Sequence, residues 1–150
     1  MAKKRPPKIY RTDSQTEYRL LIEHFDDPLS NRSGIAFLFR TAEEFQNFVY
    51  ELVVETEIKG KKLFFKIVGL RTPLTGFPAA GPAVCRCEIE DLGAGEYTLL
   101  IDRRSKQVNQ FKISIRKKIK ILQAARDGRF ISVTTDRNEW SLNSETINAE

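Results

Sequence analysis

The sequence predicts an all-β protein, a mostly antiparallel β-sandwich of about eight or nine short strands. Short runs of apolar or alternating residues recur along the 150-residue chain, and turn-forming Gly, Pro, Asp and Asn separate them. Two hairpin signals, Lys59-Gly60 and Asp127-Gly128, stand between such runs. Helical periodicity is confined to one stretch, where we expect at most one short helical turn near residues 42–47.

The predicted strands follow one another at short spacing along the chain. We expect strands at residues 9–12, 17–25, 35–39, 49–58, 61–70, 83–89, 97–102, 111–121 and 130–135. The helical turn is assigned because Thr41 and Glu44 form a capping-box pattern, which Phe45 and Phe48 follow at helical spacing. After this turn the alternation is again that of a strand.

The segment around Lys59-Gly60 predicts a hairpin whose register can be checked on both faces. With these two residues as the turn, Val54 faces Phe65 on one side and Glu57 faces Lys62 on the other. One register therefore gives an apolar inner face and a charge-complementary outer face. A slip by one residue would turn the glutamates inward, which makes that alternative unfavourable.

Segment 91–101, Asp-Leu-Gly-Ala-Gly-Glu-Tyr-Thr-Leu-Leu-Ile, carries the most specific architectural pattern in the chain. Leu92, Gly95 and Tyr97, followed by an alternating apolar run, resemble the tyrosine corner of immunoglobulin-like and fibronectin-type-III-like β-sandwiches. The resemblance implies a structural role for these three residues, with the Tyr97 hydroxyl bonded to backbone upstream. The cysteine–tryptophan–cysteine set of antibody domains is absent from the sequence.

The residues that could carry catalysis or bind metal do not form a recognisable set. Cys85 and Cys87 would point to one side of a strand about 6.5 to 7 Å apart, which favours reduced, packed thiols over a disulfide. His24 is the single histidine, and its strand context favours a packed or edge residue over a general base. We therefore predict no enzymatic activity, no cofactor and no metal site.

Positive charge is concentrated in two segments of a chain whose net charge is +5. Residues 1–8 hold four Lys/Arg, and residues 102–129 hold ten against two acids. Within the second segment, a basic ribbon lies opposite the isoleucines of the predicted strand 111–121, and the preceding loop extends it. Its candidate anion or nucleic-acid contacts are Arg103, Arg104, Lys106, Lys112, Arg116, Lys118 and Lys120. Such a ribbon is either a solvated face that discourages aggregation or a binding surface for nucleic-acid phosphates.

The Pro/Gly-rich loop 71–82 is a second candidate site, because long loops of a sandwich often carry recognition. Leu74 and Phe77 either contact a partner there or close the end of the core. The organisation we expect is a flexible basic arm over 1–8, one β-sandwich domain over 9–137 and a polar tail over 138–150. No run reaches the roughly 18 apolar residues of a membrane span and no signal peptide is recognised, so a cytoplasmic location without membrane contact is expected.

We predict that the protein is a non-catalytic interaction module. The partner we favour is another protein, bound through strand edges or the loop 71–82. The alternative is sequence-independent nucleic-acid binding through the basic arm and the 112–120 ribbon. The sequence leaves the oligomeric state open.

Overall fold

The described residues form a single nine-stranded sheet that curls into a nearly closed barrel. The computed structural model describes residues 16–46, 49–73, 80–104, 107–124 and 128–142. The strands are β1 (Tyr18–Asp27), β2 (Arg32–Phe45), β3 (Glu51–Lys59), β4 (Lys62–Arg71), β5 (Gly81–Ile89), β6 (Gly95–Arg103), β7 (Gln107–Ile115), β8 (Ile119–Gln123) and β9 (Ile131–Thr134). A short helix, α1 (Arg137–Ser141), follows β9. The order in the sheet is β8-β7-β6-β4-β3-β5-β2-β1-β9.

The sheet is mixed, because parallel pairs join β1 to β9, β3 to β5 and β4 to β6, while the other neighbours are antiparallel. The all-β prediction is confirmed. The mostly antiparallel two-sheet sandwich and its immunoglobulin-like arrangement are not confirmed, since these strands belong to one continuous sheet. The physical reason is that alternation of apolar and polar residues indicates which side of a strand is buried. It does not indicate whether the neighbouring strand runs parallel or antiparallel.

The core fills the inside of the barrel, where alternate residues of neighbouring strands converge. Phe65 of β4 contacts Phe37 and Phe39 of β2, with ring centroids 5.0 and 5.1 Å apart. All three rings are buried. Because β3 and β5 separate β4 from β2 in the sheet, these contacts cross the barrel interior and hold it curled.

The hairpin between β3 and β4 is confirmed, but its predicted register is wrong by two residues. Lys59 pairs with Lys62 and Val54 with Ile67, so that Gly60-Lys61 is the turn. Gly60 has a φ of 59°, a left-handed conformation that glycine adopts without steric cost. The two faces keep their predicted polarity, because a two-residue shift preserves which side chains point inward.

The helical turn predicted over 42–47 is wrong where the structure describes it, since β2 continues to Phe45. The β2–β5 register shifts between Arg40 and Glu44, which marks a bulge. Thr41 Oγ1 accepts a hydrogen bond from the Ala83 N–H at 3.0 Å inside this irregularity. The threonine thus ties a bulge to β5 instead of capping a helix.

The strand predicted over 111–121 is also wrong, because β7 ends at Ile115 and β8 begins at Ile119. Residues 116–118 form the turn, and Ile113 pairs with Ile121 across the two strands. The alternation continues through the turn because both strands of a hairpin direct isoleucines inward. The strand predicted over 9–12 lies outside the described residues.

Tyr97 makes the hydrogen bond that the resemblance implied. Its hydroxyl donates to Gly93 O at 2.8 Å, and the residue is buried at the start of β6. Gly95, between them, has a φ of 148°, which a side chain would strain. Leu92 is partly buried against the core.

We expect Tyr97→Phe to lower the free energy of unfolding by about 1 kcal/mol, because the Gly93 carbonyl loses its donor while the ring stays in place. For a chain of this size that is roughly 2–4 °C in melting temperature, measurable by calorimetry. Glu96→Gln, at the neighbouring exposed position, serves as the control. An unchanged melting temperature for the phenylalanine variant would show that the hydroxyl contributes nothing.

Candidate functional site

The two edges of the sheet, β8 and β9, border a seam where the barrel is not closed by strand pairing. A cavity of about 210 Å³ lies in this seam. Phe111 and Ala124 line it on the β7–β8 side, and Ser132, Val133 and Thr134 line it on the β9 side. We call it the seam cavity.

Side chains bridge the seam at both ends. At one end Asn109 of β7 donates to Gly128 O at 3.2 Å and accepts from the Phe130 N–H at 2.9 Å, which fixes the segment that leads into β9. At the other end His24 Nε2 lies 2.9 Å from Arg116 O in the β7–β8 turn. The seam therefore has a fixed width without a continuous ladder across it.

The edge of β9 carries backbone groups that point into the seam, although Ile131 at its start is fully buried. Phe130 O accepts the Tyr18 N–H, and Tyr18 lies opposite Ile131 in the parallel β1–β9 register. Because backbone groups alternate in direction along a strand, Ser132 and Thr134 direct theirs to β1. Ile131 and Val133 direct their N–H and C=O groups to the side that has no strand partner among the described residues.

Arg19 of β1 lines the same cavity and is 5% exposed. Its Nη1 donates to Trp140 O at 3.1 Å and to Leu142 O, whereas its buried Nη2 has no hydrogen-bond acceptor among the residues that the structure describes. Burial lowers the pKa of Arg19, and the Glu44 carboxylate opposes that shift. An arginine stays protonated at neutral pH, so a largely buried positive charge lies at the seam.

Trp140 of α1 covers the outer side of β1 and β2. Its Nε1 donates to Arg19 O at 3.3 Å, and its ring centre lies 5.8 Å from the guanidinium carbon of Arg40. The ring packs against a second, smaller apolar cluster, which comprises Leu21, Ala36 and Leu38. Sequence reasoning missed Arg19 and Arg40, because no local pattern shows that a distant tryptophan will cover charged strand residues.

The basic ribbon predicted along one strand is folded into the β7–β8 hairpin. Arg116 and Lys118 are exposed in its turn, and Lys112 and Lys120 are exposed on the two adjacent strands. Ser114, which lies between Lys112 and Arg116 in the sequence, is 8% exposed and pairs with Lys120. The cations thus form a compact group around the hairpin turn and not the predicted row along a single strand.

Arg103 and Arg104, predicted to extend the ribbon, lie at the opposite end of β7, by the β6–β7 turn. Arg103 forms an ion pair with Glu17, and its guanidinium carbon lies 5.2 Å from the Phe130 ring centre. Arg104 Nε donates to Val68 O at 3.0 Å. Both side chains thus contact other parts of the protein at its surface. Lys106 lies outside the described residues.

The β3–β4 turn brings further lysines to the cations of the β7–β8 hairpin. Lys62 lies opposite Thr98 of β6, and Thr98 lies opposite Lys112, so the two lysines are about 10 Å apart across two strand spacings. We call the resulting surface the basic face; its exposed members are Lys59, Lys61, Lys62, Lys112, Arg116, Lys117, Lys118 and Lys120.

Acidic groups and one aromatic ring lie next to the basic face. Glu57 and Glu96 are exposed on the same strands, and the β5–β6 connection adds Glu90 and Asp91 at this end of the barrel. Phe64, half-buried on the outer side of β4, lies 5.7 Å from Lys59 Nζ. The excess of positive charge is therefore moderate, and an aromatic surface adjoins it.

Cys85 and Cys87 are free, half-buried and on one side of β5, with their sulfur atoms 3.9 Å apart. The hydrogen bond from Cys85 lowers the pKa of Cys87 to about 7, although burial opposes the shift. The same contact, with burial, raises the pKa of Cys85. Among the residues that the structure describes, no group of three or more His, Cys, Asp or Glu could hold a metal ion.

We expect Cys87 to react with iodoacetamide faster than Cys85, with a rate that rises through about pH 7 as its thiolate forms. Cys85→Ala removes the hydrogen bond and should move this midpoint toward the ordinary thiol value. Peptide mass spectrometry after timed alkylation measures both rates. Equal rates at the two cysteines would contradict the assignment.

The loop residues Leu74 and Phe77 lie outside the described residues, as does the basic arm over 1–8. No helix in the described part of the chain has the length and apolar character needed to cross a membrane. Comparison with known proteins found no matching family model, no matching curated protein and no matching solved structure.

Proposed function

We propose that the protein is a non-catalytic interaction module that binds an extended segment of another protein along the β9 edge of the seam. The observation that supports this function is the pair Ile131 and Val133, whose backbone groups point to the unpaired side of β9. An extended peptide can add to such an edge as a new strand. Strand addition requires backbone groups alone, so the edge accepts many sequences.

The available hydrogen bonds set the scale of the affinity. If the partner uncovers the buried Ile131, the N–H and C=O groups of Ile131 and Val133 offer four ladder bonds, each worth about 0.5–1.5 kcal/mol net. Their sum of about 2–6 kcal/mol brackets the roughly 4 kcal/mol of a millimolar complex. A useful affinity therefore needs side-chain contacts as well, and the adjoining seam cavity has room for one.

The resemblance to an immunoglobulin-like corner belongs to the same proposal. The Tyr97 hydroxyl bond to Gly93 O and the strained φ of Gly95 support it. In this interpretation Leu92, Gly95 and Tyr97 hold the barrel in shape and leave recognition to the seam.

The test starts from peptides selected on the immobilised full chain from a random display library and then resynthesised. We expect a bound peptide to slow amide hydrogen exchange at Ile131 and Val133. Val133→Pro removes a seam-facing N–H without breaking the ladder to β1, and it should abolish binding. Val133→Thr keeps that N–H and should bind normally. Peptides that protect other strands, or that bind the proline variant unchanged, would refute strand addition at β9.

A second candidate function, sequence-independent nucleic-acid binding, is favoured by the basic face. Two hairpins distant in sequence bring their lysines together there, and neutralising phosphates with them would release counterions. Phe64 offers a surface on which a base could stack. The four carboxylates nearby weaken the attraction, so we rank this function below protein binding.

Fluorescence anisotropy with labelled DNA and RNA oligonucleotides separates the two functions. If the basic face binds nucleic acid, affinity should fall steeply between about 50 and 200 mM salt. Reversal of Lys112, Arg116, Lys118 and Lys120 to Glu should remove most of the binding. Reversal of Arg103 and Arg104 at the other end of β7 is the control and should leave binding unaltered. No binding by micromolar protein at the lower salt eliminates this candidate.

A further inference from the structure

The wall of the barrel has an opening between the parallel strands β3 and β5. Within the described part of the chain these strands share one register pair, Glu51 with Val84, and no pair follows it toward their carboxyl ends. Thr56 and Ile58 lie on the inner side of β3, because their partners in β4 are core residues. Both are nevertheless exposed, so solvent reaches the inner side of the sheet here. We call this gap, bordered by Thr56 and Ile58, the β3–β5 opening.

Cys85 and Cys87 of β5 border the β3–β5 opening with their sulfur atoms. Thr56 Oγ1 donates to Cys87 Sγ across the opening at 3.7 Å, and the Val54 backbone N–H donates to Cys85. Thr56 is exposed, and both cysteines are partly exposed themselves. The two sulfurs therefore lie at the edge of the opening, within reach of a small ion from solvent.

The separation of the two sulfur atoms, 3.9 Å, suits a metal ion held between them. A thiolate sulfur lies about 2.3 Å from a bound zinc ion, and at that bond length sulfurs so placed subtend an angle of about 116° at the ion. This angle is close to the roughly 120° of a three-coordinate site. A disulfide would require the sulfurs to approach to about 2.05 Å, which is a much larger movement. The pair is thus arranged more nearly for a shared ion than for a covalent bond.

The side chains around the sulfur pair favour a soft ion. Alternation along the strands directs Glu55 and Glu57 of β3 and Glu88 of β5 to the outer side of the sheet, away from the sulfurs. Among the described residues, no third His, Cys, Asp or Glu joins the pair. A structural zinc site takes four protein ligands, whereas thiolates without carboxylate or imidazole support suit the soft monovalent ion Cu(I).

We propose that Cys85 and Cys87 bind one Cu(I) ion as a pair of thiolates at the β3–β5 opening. Each thiol releases its proton to solvent when its bond to the ion forms, and no electron is transferred. The donors on Val54 and Thr56 orient the two sulfurs, as outer-shell hydrogen bonds do in metal sites. A third ligand position faces the opening, where an external thiol can bind the ion and exchange it.

This site differs from the prediction of no metal site, which was made from the sequence without the contacts from β3. It is also independent of the proposed function, because the β3–β5 opening and the β9 edge lie in different parts of the sheet.

Anaerobic titration of the full chain with Cu(I), held by coloured chelators of graded affinity, tests the binding and its stoichiometry. We expect one ion per chain to transfer to the reduced protein, with amide NMR shifts centred on Val54, Thr56, Cys85 and Cys87. No transfer from the weakest chelator, or shifts confined to other surfaces, would overturn the proposal. One ion per two chains would overturn it as well, because cysteines of different copies would then share the ion.

Replacement of either cysteine by serine tests whether both sulfurs hold the ion. Cys85→Ser and Cys87→Ser should each weaken Cu(I) binding by more than about a hundredfold, since loss of an outer-shell partner alone costs about 10–100-fold. Serine is close to cysteine in size, and calorimetry without metal shows that each variant is folded. Cu(I) should raise the melting temperature of the unmodified chain and not that of the serine variants. A folded serine variant that binds as tightly as the unmodified chain would refute the two-thiolate site.

Thr56→Val tests the contact across the opening while both cysteines remain. Loss of the hydroxyl that donates to Cys87 should weaken Cu(I) binding by about tenfold. Because Thr56 is exposed, this variant should stay folded. Thr98→Val on β6 is the matched control and should bind Cu(I) normally. Equal affinity of the two valine variants would place the ion away from β3 and overturn the site at the opening.

Discussion

Replacement of Asn109 by alanine is expected to lower the free energy of unfolding by about 2–4 kcal/mol. The side chain is 2% exposed and satisfies two backbone groups across the seam, Gly128 O and the Phe130 N–H. Alanine leaves the buried Phe130 N–H without this partner, which costs about 1–3 kcal/mol. It also removes one of the two hydrogen bonds to Gly128 O, worth about 0.5–1.5 kcal/mol, while Gln107 Nε2 still donates to that oxygen at 3.2 Å. The melting temperature should fall by roughly 5–15 °C.

Gln110→Ala is the matched control for this prediction. Gln110 follows Asn109 in β7 but is exposed, so its truncation should change stability by no more than about 0.5 kcal/mol. Calorimetry of both variants gives the comparison. If Asn109→Ala melts within a degree of the control, the bridge between β7 and the start of β9 is not what holds the barrel together.

Phe65→Ala should have the other large effect, a loss of about 3–5 kcal/mol. Phe65 is 1% exposed, and its ring touches two rings of β2 on the far side of the core. Truncation removes buried apolar surface and leaves a cavity that neighbouring strands cannot fill. Urea unfolding measures the loss from the shift in midpoint at constant slope.

A double-mutant cycle makes this prediction specific to the curled sheet. Phe39→Leu and Phe65→Leu should each destabilise the protein, and the pair should show a coupling energy of about 0.5–1.5 kcal/mol, as aromatic neighbours do. In the control cycle, Val53→Ala on the outer side of β3 takes the place of one of the two phenylalanine substitutions. Additive effects of the two phenylalanine changes would mean that β4 and β2 do not meet inside a barrel.

The sequence revealed the strands and their buried faces better than their partners. The β3–β4 hairpin shows why, since its inner face is Val54, Thr56 and their neighbours in the predicted register and in the observed one alike. A register shift of one residue would exchange the apolar and polar faces of the hairpin, so the sequence pattern excludes it. A shift of two residues leaves both faces unchanged, so the pattern cannot identify it. The break at residues 116–118 was equally hard to recognise, because isoleucines face inward on both sides of it.

Long-range contacts account for the remainder of the fold and for the site. Nothing near Asn109 in the sequence shows that it will bind Gly128 and Phe130, and nothing near Arg19 shows that Trp140 will cover it. The pattern at Tyr97 was readable in advance because its hydrogen bond is local, four residues long. Interactions that join distant segments depend on the whole topology, which a local pattern does not encode.

The two candidate functions would use different surfaces, which approach each other at the β7–β8 turn, where Arg116 O contacts His24. Strand addition would use the β9 edge, while nucleic-acid binding would use the outer sides of β4, β6 and β7 near the hairpin turns. Variants of one surface should therefore leave the other unaffected. This independence lets each function be removed while the fold stays intact.

Residue-resolved amide hydrogen exchange of β9 in the unliganded protein tests the open seam most directly. The N–H groups of Ser132 and Thr134 point to β1 and should be protected, whereas those of Ile131 and Val133 point into the seam and should exchange at least about tenfold faster. An alternating pattern along these four residues is the predicted result. Equal, strong protection of all four would show that β9 is paired on both sides and that no edge is available to a partner.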